Sequence, residues 1–249
     1  MTATVRRALV TGASTGIGEA TVRQLRALGW EVIATARRAE RLDALAQETG
    51  CLAVPADLTV PADVERLVSE VGAGGPLDSL VNVAGGAIGA DSVATGSPED
   101  WSAMFDRNVL SALRLTQGFL PLLEADGGGD IVFLTSTAAH GTYPGGGGYV
   151  AAKHAERVIA NTLRLELVGR PVRVIEIAPG MVATPEFALN RLGSAEAAAK
   201  VYEGVAAPLV ADDVADAIVW TLTRPAHVNI DSLVMRPRAQ ASNTLVARD

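Results

Sequence analysis

Short apolar runs alternate along the chain with longer stretches whose apolar residues recur at helical spacing, the pattern of βαβ units around a parallel sheet. Arg7 to Thr11 reads as a first strand ending in a glycine turn, and Ile17 to Leu28 as a helix stopped by Gly29. Glu31 to Ala36 is expected as the second strand, Ala39 to Glu48 as the second helix and Leu52 to Pro55 as a short third strand. Pro61 suits the first turn of a helix running to Val71, and Leu77 to Val83 reads as the fourth strand. Ser97-Pro98-Glu99-Asp100 joins a capping hydroxyl, a first-turn proline and two acids, so a helix is expected from there through Leu123, with room for a bend. Ile131 to Thr135 is the fifth strand, Tyr149 to Val168 a long helix and Val172 to Ile177 the sixth strand. Helices over Ser194 to Val205, in a mobile excursion, and Ala211 to Thr223 precede a last strand, Ser232 to Met235. The fold expected is α/β, a doubly wound parallel sheet of about seven strands with helices on both faces. It fills a single domain over 1–249, with no repeat, low-complexity tract or linker.

Composition narrows the function classes. The 249 residues lie within the range of one α/β domain, and 49% hydrophobic residues argue against disorder. No apolar run approaches the ~18 residues of a membrane helix. Met1 to Ala8 lacks the apolar core and cleavage site of a leader. The one cysteine, Cys51, excludes an internal disulfide, and His140, His154 and His227 are not at ligand spacing, so no metal is expected. A net charge of −7 argues against a nucleic-acid partner. A cytoplasmic protein acting on a small molecule, away from membranes, is expected.

The first strand empties into Thr11-Gly12-Ala13-Ser14-Thr15-Gly16-Ile17-Gly18, where a helix begins. Gly12 permits the tight turn, Gly16 lets backbone amides approach a pyrophosphate, and Gly18 lets the helix pack close to the sheet. With Ser14, Thr15 and Ile17 these residues form a phosphate cradle at a helix N-terminus, and the sheet is expected to be Rossmann-type. An acid at the end of the second strand would mark NAD; Ala36-Arg37-Arg38 stands there instead. Arg37 and Arg38 bind a 2′-phosphate or are solvated surface charges. With no carboxylate in place, NADP(H) is the expected cofactor.

Thr135-Ser136-Thr137 follows the fifth strand, and Tyr149 and Lys153 stand four residues apart, on one helix face. A phenol with a pKa of about 10 is a poor base at neutral pH. A neighbouring ammonium favours its ionised form, and Ser136 can donate to a substrate oxygen whose charge changes.

These motifs together resemble the short-chain dehydrogenase/reductase family over essentially the whole chain. Thr11 to Gly18 matches its glycine turn; Ser136 and the Tyr149-x-x-x-Lys153 pair match its catalytic residues. The resemblance implies that Tyr149 is the acid/base and Ser136 the substrate orienter. It makes Lys153 the residue that binds the nicotinamide ribose and tunes Tyr149, and Asn108 the anchor of a water linking lysine to solvent. Pro179-Gly180 and Thr184, with Val182 between them, match the segment that holds the nicotinamide, and Asp57-Leu58 the adenine contact. One departure stands out: Asn82-Val83-Ala84-Gly85 replaces the usual Asn-Asn-Ala-Gly, which implies weaker anchoring of the cofactor there.

Within the family the chain is most similar to NADP-dependent 3-hydroxy acid dehydrogenases that also oxidise serine and allo-threonine. Val32 to Leu42, Pro225 to Leu233 and Pro185 to Arg191 carry that likeness. The last stretch lies in the segment where the family builds its substrate lid, roughly 184–207 here. Arg191 is either a partner for a substrate carboxylate or a solvent-exposed lid arginine. Tyr143 and His140 are expected to line the pocket, with His140 alternatively a satisfied loop histidine. The resemblance also implies a homo-oligomer, a tetramer or a dimer, pairing Ala103–Leu123 and Tyr149–Val168, with the tail 237–249 reaching across a subunit interface. The alternatives are a ketoreductase for uncharged ketones or aldehydes, or a non-enzymatic NADP(H) sensor.

Overall fold

Seven of the apolar runs pair as parallel strands in the computed structural model, which describes residues 5–249; positions 1–4, part of the presumed domain and of the stretch read as lacking a leader, lie outside the described residues. The strands are β1 (Arg7–Thr11), β2 (Glu31–Thr35), β3 (Leu52–Ala53), β4 (Ser79–Asn82), β5 (Gly129–Leu134) and β6 (Val172–Pro179). A separate parallel pair, β7 (Val182–Ala183) and β8 (Leu209–Val210), precedes β9 (Ser232–Met235), and the main sheet runs β3-β2-β1-β4-β5-β6-β9. Continuous apolar sequence is what a strand covered on both faces needs, and all five residues of β1 and all six of β5 are buried.

Neighbouring residues of a strand serve opposite faces. Val10, Val32, Val132 and Ile175 meet α1 (Gly16–Ala27) through Val22 and Leu25, and α2 (Ala39–Thr49) through Leu42 and Leu45. Leu9, Ile33, Leu80, Ile131 and Phe133 face the other layer: Leu67 of α3 (Pro61–Gly72), Phe119 of α5 (Ser111–Glu124) and Ala160 of α6 (Gly147–Glu166) enter this core, while α4 (Pro98–Phe105) packs on α6 through Met104. The short helices α7 (Phe187–Leu192) and α8 (Ala195–Tyr202) form the excursion after β7. Then α9 (Ala211–Leu222) joins the first layer through Val214, Ile218 and Leu222.

The structure departs from the sequence pattern at five places. The helix expected through Leu123 is split by a π turn over Asp106–Leu110, and Asn108 is buried inside that turn. The long helix after β5 starts at Gly147, two residues earlier than expected, and β3 is only two residues long. Phe187–Leu192 is helical, ended by Gly193 in the left-handed region at φ +72°. The β7–β8 pair has too few residues to show any period. The tail 237–249 packs on its own chain: Gln240 Oε1 accepts from the Met181 amide at 2.8 Å, and Asn243 Nδ2 donates to Thr137 O and Gly141 O. Among the described residues no helix is long and apolar enough to cross a membrane, and no group of His, Cys, Asp or Glu could hold a metal ion.

Phe119 is fully buried between α5 and the sheet. Phe119→Ala is expected to cost about 3–5 kcal/mol, read as a lower urea midpoint with an unchanged slope.

Candidate active site

The order of strands reverses beside β1, whose partners are β2 on one side and β4 on the other. Crossovers leaving in opposite directions open a crevice at the carboxyl ends of the strands there. A cleft of about 1100 Å³ occupies that position. At its floor Gly12 turns the chain at φ +63°, and Gly18 brings α1 so close that a Cβ added there would stand 2.5 Å from Gly12 O. Thr15, at the N-cap, makes no side-chain bond to the first turn, which leaves the amide end of α1 facing the cleft. The Thr11 hydroxyl accepts from the Val83 and Ala84 amides at 2.9 Å each, tying the loop after β4 to the turn after β1. Gly12, Ser14, Thr15, Gly16 and Ile17 line the cleft as expected; Gly18 sits behind them as a packing residue.

At one end of the cleft the two arginines differ. Arg37 is exposed and makes no hydrogen bond or ion pair among the described residues. Arg38 is already engaged, donating to Ser14 Oγ at 2.9 Å and to Glu186 Oε1 at 2.8 Å; Arg41 reaches the same carboxylate at 2.9 Å. The Arg38 hydrogen bond holds the Glu186 carboxyl below the usual range. Arg107, half-buried, lines the same end; burial and the nearby charge of Arg37 pull its pKa down. Asp57 lines it too: burial pushes its carboxyl up, but hydrogen bonds from Thr59 and the charges of Arg37 and Arg107 bring it below the usual value. Leu58, Ala84, Gly85, Pro179, Gly180, Val182 and Thr184 complete the expected lining. Asn82 does not belong to it. Its side chain points into the sheet, 2% exposed, with neither amide atom bonded, so only its neighbours Val83 to Gly85 reach the cleft.

At the other end Tyr149, on the first turn of α6, shares the cleft with Ser136 and Lys153. Ser136 Oγ accepts from the Ala138 amide at 3.1 Å and lies 3.4 Å from Pro179 O. Lys153 Nζ is 5.9 Å from the Tyr149 ring centre, 2.9 Å from Leu134 O and 2.6 Å from Glu156 Oε2. Burial raises the Tyr149 phenol above its ordinary value, against the pull of the Lys153 charge and the Ser136 hydroxyl. Burial lowers Lys153, but the Glu156 carboxylate and the Tyr149 charge together more than offset it. Asn108 does not touch Tyr149. Its Oδ1 accepts from the Gly86 amide at 3.0 Å, and its Nδ2 donates to Gly86 O and Met104 O, so it pins the loop after β4 against the π turn.

The lid covers this end. Phe187 meets the Tyr149 ring edge-on at 5.7 Å, and Arg191 donates to Gly89 O at 3.0 Å, Gly145 O at 2.9 Å and the Tyr143 hydroxyl at 3.1 Å. Arg191 is half-buried and makes no ion pair among the described residues: its three contacts are neutral, and one N–H on each terminal nitrogen is left for a ligand. Tyr143 lines the cleft, but His140 does not. Its Nε2 lies 3.0 Å from the buried Glu176 carboxylate, which also accepts from the Thr135 hydroxyl, so His140 is a satisfied loop histidine turned away from the pocket. Glu156, Glu176 and Arg107 were not among the expected site residues, and Glu186 was expected only as part of the Pro185–Arg191 stretch; of the first three, Arg107, beside Asn108, carried a local signal.

The residues present fit a phosphorylated dinucleotide: a glycine cradle that a Cβ would fill, a helix amide end, and an unpaired arginine where an acid would stand for the unphosphorylated form. The profile of the short chain dehydrogenase family matches residues 6–192. An uncharacterized oxidoreductase of Mycobacterium tuberculosis is 52% identical over 238 residues, covering 95% of this chain and 93% of the relative. The NADP-dependent 3-hydroxy acid dehydrogenase of Salmonella typhi is 40% identical, covering 94% and 95%. A solved closed form of serine dehydrogenase complexed with NADP⁺ superimposes with a TM-score of 0.91 at 37% identity, covering 98% and 99% of the two chains.

Gly18→Ala forces backbone to move, since the nearest atoms to the new Cβ are Gly12 O and Thr11 O. Dinucleotide binding, followed by the fluorescence of the reduced form, is expected to weaken at least about tenfold, ~1.4 kcal/mol. Unchanged affinity would remove the cradle from the binding site.

Proposed function

The chain belongs to the short-chain dehydrogenase family, and we propose that it is an NADP(H)-dependent oxidoreductase acting on the hydroxyl or carbonyl carbon of short 3-hydroxy acids. Arg191 carries the substrate half of this reading. It is a cation without a counter-charge among the described residues, held by the lid at the Tyr149 end of the cleft. A carboxylate is the ligand such a group binds best. The likeness to 3-hydroxy acid and serine dehydrogenases supports the same substrate class.

The cradle of Gly12 to Gly18 would hold the cofactor's pyrophosphate, Arg37 its 2′-phosphate, and Pro179 to Thr184 its nicotinamide end. When bound, the nicotinamide would supply the hydride for reduction or accept it in oxidation. Tyr149 would give a proton to the carbonyl oxygen in reduction, or take one from the hydroxyl in oxidation, as general acid or base. Ser136 donates a hydrogen bond to the same oxygen as its charge changes. Lys153 keeps a positive charge beside the phenol, and Asn108 fixes the loop that carries Gly85 and Gly86 past Lys153. Phe187 covers the Tyr149 ring and keeps water from the reacting oxygen.

The reading extends to a cytoplasmic homo-oligomer, tetramer or dimer. Support comes from the buried, unpaired Cys51, which suits a reducing compartment, and from apolar residues left exposed at the end of α4 (Phe105), on α6 (Val158, Leu165) and just after it (Val168). A ketoreductase for uncharged substrates remains the second reading. It is favoured by the three neutral bonds that already hold Arg191, which suit a strut between lid and loops.

Initial rates of NADP⁺ reduction distinguish the two. With L-serine, L-allo-threonine and 3-hydroxyisobutyrate, rates at least about tenfold above those of uncharged secondary alcohols are expected, ~1.4 kcal/mol of transition-state preference. Arg191→Ala should then raise KM for the acids and leave the alcohols unchanged. Turnover of the alcohols alone would assign the ketoreductase. In the same assay Arg37→Ala should raise KM for NADP⁺ about tenfold while leaving NAD⁺ unchanged; equal loss for both would return Arg37 to a solvated surface charge.

A further inference from the structure

Glu156 stands one turn beyond Lys153 on α6, and the reaction just described makes no use of it. Its side chain is 1% exposed, with Oε2 2.6 Å from Lys153 Nζ. Burying a carboxylate is costly even when it is paired, so a position that needed only packing would take an apolar residue. The surrounding charges are few and can be named. On α6 they are Tyr149, Lys153 and Arg157; on β6 there is Glu176, 1% exposed, with Arg157 Nε 3.7 Å from its Oε2. From the segment after β5 come His140, bonded to Glu176, and Tyr143, whose hydroxyl adds to the charge felt by Tyr149.

An ammonium alone beside a phenol drives the phenol toward its ionised form. With a carboxylate 2.6 Å away on the same nitrogen, Tyr149 faces an ion pair whose field falls off far more steeply than that of a single charge. We propose that Glu156 is a positioning residue of the reaction: by cancelling the charge of Lys153 it keeps Tyr149 in the proton-donating form and widens the pH range over which the site protonates a carbonyl oxygen. Burial pushes the Glu156 carboxyl up to about 7, still below the range in which the raised Tyr149 phenol ionises. The carboxylate is therefore in place when it matters. Glu176 adds to the rise of Glu156, and its own contacts with Thr135 and His140 keep it from replacing Glu156 at the lysine.

The proposal rests on Tyr149 as acid/base, and the test separates the two. The chain has only three tyrosines, Tyr143, Tyr149 and Tyr202, so tyrosinate absorbance can be titrated without cofactor and the Tyr149 contribution isolated against Tyr149→Phe. In Glu156→Gln the Tyr149 midpoint is expected to fall by about one pH unit, a tenfold change in its acid/base ratio. The alkaline limb of kcat/KM for carbonyl reduction should fall with it. Glu156→Asp keeps the charge and should return both midpoints toward the original. Should Glu156→Gln not fold, Glu156→Met, similar in size and uncharged, carries the same expectation. Midpoints that stay put or rise in a folded uncharged variant overturn the role of Glu156. Full activity in Tyr149→Phe would instead remove the acid/base reading beneath it.

Discussion

The site depends on one topological constraint: β1 is paired with β2 on one side and β4 on the other, so the chain must leave its end in one direction and return in the other. Right-handed crossovers then place helices on opposite faces and leave the carboxyl edge open between them. Three polar contacts tie together the elements around that opening. The Thr11 hydroxyl holds the amides after β4, Asn108 holds Gly86 from the π turn, and Lys153 reaches from α6 to Leu134 O at the end of β5. None of these bonds is strong by itself, at about 1 kcal/mol net. Their effect is geometric: each fixes a loop that no strand continues.

The lid is fastened at both ends of the cleft by unlike interactions. At the adenosine end Glu186 sits between Arg38 and Arg41, in partly exposed ion pairs whose worth is small. At the substrate end Arg191 grips carbonyls and a hydroxyl, while Phe187 lies on Tyr149. Rim charges, three hydrogen bonds from Arg191 and one aromatic contact together hold this segment over the cleft. The same arginines that anchor Glu186 flank Arg37, so the charge state of this end and the position of the lid share residues.

Much of the fold was legible because its signals are local. Unbroken apolar runs identified strands buried on both faces, and a tyrosine and a lysine one helical turn apart could be placed together before any tertiary contact was known. Features that depend on partners from elsewhere in the chain were not legible. Whether His140 meets substrate turns on Glu176, thirty-six residues later, and Asn82 is excluded from the cleft by the direction of its side chain in β4. The π turn at Asp106–Leu110 leaves no mark on hydrophobic period, since Met104, Asn108, Ala112 and Leu115 stay buried across it. Glu156 looked like one more polar residue of a helix, and only the packing of α6 on the sheet shows it dry and paired.

The Lys153–Glu156 pair joins stability to chemistry. Burial disfavours the ammonium of Lys153, which is 3% exposed and also donates to Leu134 O. The charges of Glu156 and Tyr149 work against that and raise it. Burial holds the phenol above its ordinary value, and the same Glu156 carboxylate weakens what the lysine charge can do against that. These two demands on one nitrogen pull in opposite directions, and the chain's own residues meet the first more fully than the second. Any further lowering of the Tyr149 phenol has to come from a positive charge brought into the cleft from outside. An oxidised nicotinamide carries such a charge, whereas its reduced form does not. Under the proposed mechanism the chain thus leaves Tyr149 as an acid by default, with proton abstraction favoured in the complex that would oxidise.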